Sequence, residues 1–129
     1  MATQDPNLEV TNDLVASDKV IGTNVYDASG SHIGSVEKLV LGKTSARVAY
    51  AVLSFGGFLG IGTDYYPVPW ETLTYDESLG GFRVAITKDQ IEGAPRYSRD
   101  EDYDWYEGGR SITDYYGTRP YVSGTRLDT

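Results

Sequence analysis

The sequence predicts an all-β domain with short helical additions, and three observations support it. Short runs rich in β-branched and aromatic residues are separated by clusters of Gly, Asp and Ser. From Phe82 to Ile86 apolar residues alternate with Arg83 and Ala85, the period of a strand with one buried and one wet face. Charge also divides the chain: residues 1–18 carry four acids and no base, residues 19–97 are nearly neutral, and residues 98–129 carry seven acids against four bases. This reads as a flexible acidic N-terminal segment over 1–18, a folded domain over 19–97 and an aromatic, acidic C-terminal extension over 98–129.

Each element follows from its residues. Val20 to Tyr26 reads as the first strand. Asp27-Ala28-Ser29-Gly30 then supplies a tight turn in which Asp27 caps the backbone and Gly30 takes positive φ. The second strand runs from His32 to Leu41, ends at Gly42-Lys43-Thr44-Ser45, and is followed by a third from Arg47 to Phe55. This third strand is apolar on both sides, with Val48, Tyr50 and Val52 on one and Ala49, Ala51, Leu53 and Phe55 on the other. A barrel core uses one side only, so the outer side needs a cover: the chain's own ends or a second copy. Tyr65-Tyr66-Pro67-Val68-Pro69-Trp70 is extended but lacks two backbone donors, which places it at an edge or seam. Thr87-Lys88-Asp89-Gln90 matches a capping box and opens a short helix closed by Gly93 and Pro95. Ser98-Arg99-Asp100-Glu101 is a second match, Gly108-Gly109 interrupts the helix it starts, and Ser111 caps a further short helix ending at Gly117.

Composition excludes several functions. The chain has 129 residues, a net charge of −8, no cysteine and one histidine, His32. A chain so acidic offers no electrostatic footprint for nucleic acid. Without cysteine there is no disulfide, thiolate metal site or cysteine nucleophile, and a serine triad would have to recruit His32 without a G-x-S-x-G elbow. The stretch between Arg47 and Asp64 is uncharged but broken by glycine and shorter than the roughly 20 apolar residues of a membrane helix. The N-terminal residues lack the basic and apolar regions of a signal peptide, so the expected location is the cytoplasm.

Val20-Ile21-Gly22-Thr23-Asn24-Val25-Tyr26, Gly30-Ser31-His32-Ile33-Gly34-Ser35-Val36, Gly57-Phe58-Leu59-Gly60-Ile61-Gly62 and Val68-Pro69-Trp70 together resemble the PRC-barrel family over roughly residues 19–97. That family takes in the cytoplasmic domain of the photosynthetic reaction-centre H subunit and the second half of RimM-type ribosome maturation factors. The resemblance implies a small six-stranded antiparallel barrel serving as a docking surface, with no enzyme chemistry and no cofactor. The tail, with Tyr115-Tyr116-Gly117 and Arg119-Pro120-Tyr121, is similar to extensions of stand-alone bacterial members.

The glycines at 56–62 lead into Asp64 and a proline-bearing strand, where a phosphate-cradling loop needs a helix and a lysine. They read as a hairpin whose Phe58, Leu59 and Ile61 are tucked into the barrel mouth or offered to a partner. Asp100, Asp102 and Asp104 alternate like the start of a calcium loop, but Trp105 and Ser111 stand where that loop needs Gly and Glu. No catalytic, cofactor or metal residue is assigned, and His32 reads as a surface histidine. The tail aromatics Trp105, Tyr106, Tyr115, Tyr116 and Tyr121 offer large rigid contact area, so with Phe58, Leu59 and Ile61 they form the candidate partner-binding set, packed on this chain or on another. The expected function is a non-enzymatic protein-binding or assembly module, with a homodimer as one form. The alternatives are a peripheral auxiliary of a photosynthetic or other membrane electron-transfer complex and a small-molecule-sensing barrel.

Overall fold

A computed structural model describes residues 14–55 and 64–120. The acidic residues up to Asp13, the segment 56–63 expected as a hairpin, with Phe58, Leu59 and Ile61, and Tyr121 lie outside the described residues. The elements are α1 (Ser17–Val20), β1 (Asn24–Tyr26), β2 (His32–Leu41), β3 (Val48–Ser54), β4 (Tyr66–Pro69), a 3-10 turn (Trp70–Thr72), β5 (Leu73–Asp76), β6 (Gly81–Val84), α2 (Lys88–Glu92) and α3 (Trp105–Tyr116).

The six strands form one curled sheet in the order β4-β3-β2-β1-β6-β5. The expected all-antiparallel barrel needs correction in two respects. β1 and β6 are parallel, with Val25 opposite Phe82 and Tyr26 opposite Arg83. The ladder is open between β4 and β5, which are its two edges. Both differences have one cause. The β1–β2, β2–β3, β3–β4 and β5–β6 pairs each reverse the chain, but only the three residues Trp70–Thr72 separate β4 from β5. That corner turns without reversing, so an even number of reversals lies between β1 and β6 and the two run the same way. Because the corner also joins the sheet's outermost strands, the sheet must curl. Pro67 and Pro69 lie on β4, and an edge is where absent donors cost least.

The first strand is shorter than the sequence suggests. Residues 17–20 form a helical turn, and Gly22 at φ 89° sets the chain on its new course before β1. Val20 still reaches the core, joining Val25, Val36, Leu53, Val68 and Val84 in one cluster that fills the inside of the curl. At Gly34 the backbone of β2 approaches β3 so closely that a Cβ would collide with the Ser54 carbonyl oxygen. The Asp27 turn forms as expected, its carboxylate accepting from the Ser29 and Ser31 amides at 2.9 and 3.0 Å. Those bonds, with the Ser29 hydroxyl first among them, hold the Asp27 carboxyl below its ordinary value.

Both helix boxes were legible, with different outcomes. Thr87 and Gln90 cap each other reciprocally at α2. Ser98 and Glu101 also meet, the Ser98 amide donating to Glu101 at 3.0 Å, but the chain leaves as a turn without helix. The tail helix starts instead at Asp104, whose carboxylate accepts from the Tyr106 and Glu107 amides, and it runs unbroken through Gly108-Gly109 to Gly117, which is left-handed at φ 69°. Ser111 is thus mid-helix, and α3 is one helix where two were expected. The glycines are retained for close approach: a Cβ on Gly108 would meet the Tyr103 ring, and one on Gly109 would stand 2.6 Å from the Tyr50 hydroxyl.

Candidate interaction surface

The outer face of β3 decides what the tail does. Tyr50 and Val52 are buried but lie outside the central cluster, opposite Pro69 and Pro67 of edge strand β4. α3 lies against β4. Its Ile112 and Thr113 are buried, and Gly109 faces Tyr50. The approach of the tail is held by backbone pairing of Tyr97 with Tyr65, at 2.9 and 3.0 Å. Around it Trp105 stacks on Tyr50 with ring centroids 5.7 Å apart, Tyr103 stacks on Tyr97 at 4.5 Å, and Trp105 meets Tyr103 edge-on at 4.6 Å. Burial pushes the phenols of Tyr50, Tyr97 and Tyr103 above the ordinary tyrosine value, with neighbouring acidic groups adding to it. The doubly apolar third strand therefore receives its cover from the same chain.

The candidate tail residues divide accordingly. Trp105 is half-buried in this aromatic layer. Tyr116 is half-buried against the central cluster, and burial pushes its phenol well above the usual value. Tyr115 is partly exposed, and its hydroxyl donates to the Gln90 carbonyl at 2.6 Å, tying α3 to α2. Tyr106 projects outward, 74% exposed, with the Arg110 guanidinium 5.6 Å from its ring centre. His32, also exposed, bonds through Nε2 to the Gly34 carbonyl at 3.0 Å.

A different face gathers exposed apolar side chains. Leu14 is 82% exposed, Val15 64% and Tyr75 54%. All three line a cavity of about 670 Å³ whose floor is formed by Phe82, a member of the core cluster, and by Leu39 and Trp70, which pack against that cluster. We refer to this opening as the mouth. Leu41, also exposed, pairs with Val48 on the cavity wall. Trp70 and Phe82 meet edge-on at 5.6 Å, and Tyr75 meets Phe82 at 5.4 Å. Lys19 from α1 and Glu77 from the β5–β6 turn are the charged residues lining the mouth. On the far side of Trp70 and Val48, a second groove of about 730 Å³ contains Arg47, Glu71 and Arg119.

The β5–β6 wall of the mouth is braced from behind. Arg83 donates to Asp76 at 2.6 Å and to the Ala28 carbonyl at 2.7 Å, fastening this hairpin to the β1–β2 turn. The Ser78 hydroxyl, then Arg83, holds the Asp76 carboxyl down at about 2.

Comparison with known families agrees with this geometry: the model of the PRC-barrel domain matches residues 12–91. The chain belongs to the PRC-barrel domain family. A search of curated proteins returned no match. The matched span of the PRC barrel starts just before Leu14 and ends in α2, so it takes in every residue of the mouth, while α3 lies beyond it.

Sequence reasoning pointed to the tail aromatics and to Phe58, Leu59 and Ile61, and passed over Leu14, Val15 and Tyr75. Leu14 and Val15 gave one signal, an apolar pair in an acidic, polar run. Tyr75 gave another, a large aromatic between Thr74 and Asp76. Neither has a period long enough to mark a face, because the mouth is assembled from five separate parts of the chain.

Proposed function

We propose that this PRC-barrel protein is a non-enzymatic docking module that binds a protein partner at the mouth. The observation that carries this reading is the gathering of Leu14, Val15 and Tyr75, all more than half exposed, around one apolar opening. Exposed apolar groups in a contiguous patch mark contact sites, whereas singly scattered ones do not. The other large aromatic assembly, around Tyr50 and Trp105, is already used within the chain. A lining that combines the aromatic side chains Trp70, Tyr75 and Phe82 with only two charged residues, Lys19 and Glu77, has the composition of a binding hot spot. The interior of the curl is filled by Val25, Leu53, Val68 and Val84, each fully buried, so binding takes place at the opening and leaves the core in place. The module is expected to act in the cytoplasm.

The test is affinity capture from the native cell using wild-type protein, Leu14→Asp and Tyr106→Ala as baits. The expected result is partners that are retained by Tyr106→Ala and lost with Leu14→Asp. Partners that are kept by Leu14→Asp and lost with Tyr106→Ala would move the docking surface to the tail and overturn the reading.

A further inference from the structure

We propose that the occupant of the mouth is a second copy of this chain, joined face to face across a two-fold axis. This rests on the mouth being the docking surface and identifies its partner. A contact between identical copies related by a two-fold axis must be complementary to itself, and the charged lining of the mouth meets that condition. Its charged lining is one cation and one anion on different elements, Lys19 on α1 and Glu77 on the β5–β6 turn. Both are exposed, and neither forms an ion pair among the described residues. In this dimer Lys19 of each copy pairs with the partner's Glu77, and the two-fold operation makes the two pairs equivalent. The apolar centre then meets its own image, Leu14 and Val15 of each copy covering the Trp70 and Phe82 floor of the other.

Net charge favours this face over others. Each copy carries −8, so two copies repel at most orientations. At the mouth the charges cancel locally, and two crossed pairs replace repulsion with attraction. A partner selected by the chain's overall acidity would be basic and would call for an acidic lining, which the balanced Lys19 and Glu77 do not provide.

Sedimentation equilibrium across the micromolar range tests this with wild type, Leu14→Asp, Lys19→Glu, Glu77→Lys and the double charge swap, with circular dichroism to verify folding. Lys19, Glu77 and Leu14 are exposed, so their variants should remain folded. Wild type is expected to be in reversible monomer–dimer equilibrium. Each single charge reversal should weaken the dimer by about tenfold, Leu14→Asp should abolish it, and the double swap should restore it to near the wild-type constant. A wild type that is monomeric throughout overturns the self-association, as does a dimer indifferent to all four variants. If that monomer nevertheless loses its captured partners on Leu14→Asp, the mouth remains a docking surface for a different protein and only the identity of the occupant fails.

Discussion

Substitution of Ile112 by Ala measures how much the tail contributes to the fold. Ile112 is fully buried (0% exposed) on α3, outside the central cluster and in the layer that covers β3. The change removes three buried carbons, worth about 0.8 kcal/mol each by transfer, or roughly 2.5 kcal/mol. Incomplete collapse of the resulting cavity raises this to about 3 kcal/mol, within the usual range for such truncations. For a domain of this size that is a fall in melting temperature of about 12 °C or more. Urea unfolding and a thermal melt read it, with Asp114→Ala on the exposed face of the same helix as a control expected to move stability by less than about 0.5 kcal/mol. A loss below about 1 kcal/mol for Ile112→Ala would refute the reasoning, since it would mean that α3 does not seal the outer face of β3.

Three further outcomes follow from the same contacts. Gly34→Ala places a methyl group on the Ser54 carbonyl oxygen, where backbone has to move, so the β2–β3 pairing should lose about 2 kcal/mol or more by urea unfolding. Asp104→Ala removes the acceptor for the Tyr106 and Glu107 amides and should cost about 1 kcal/mol, with faster proteolysis of the tail as a second readout. The Asp76 carboxyl is lowered from 3.8 to about 2, so its contribution is fully present above pH 4 and is lost as pH falls from about 4 to about 2; acid unfolding of Asp76→Asn should show a flatter dependence in that window.

Legibility in the sequence depended on how local the determining contacts are. The Asp27 turn, β2, β3 and the capping box of α2 are specified by neighbouring residues and were read with nearly correct limits. β5 was missed because Leu73–Asp76 is four residues long and owes its strand form to pairing with β6. The parallel β1–β6 pair is a property of the Trp70–Thr72 corner, and composition does not reveal whether a three-residue connection reverses the chain. Gly108 and Gly109 suggested an interruption because helix propensity disfavours glycine; the rings of Tyr103 and Tyr50, distant or out of register in sequence, supplied the opposing reason. The doubly apolar β3 correctly demanded a cover, and only the fold identified that cover as α3. The mouth was the least legible feature, since Leu14, Leu39, Trp70, Tyr75 and Phe82 converge solely through the curl of the sheet.

Amide hydrogen exchange on dilute and concentrated protein tests the division of labour between tail and mouth most directly. Slow exchange along α3 at both concentrations, with protection rising on concentration at residues 14–23 and 73–82, is the predicted result. Protection that rises along α3 while the mouth stays unchanged would contradict it.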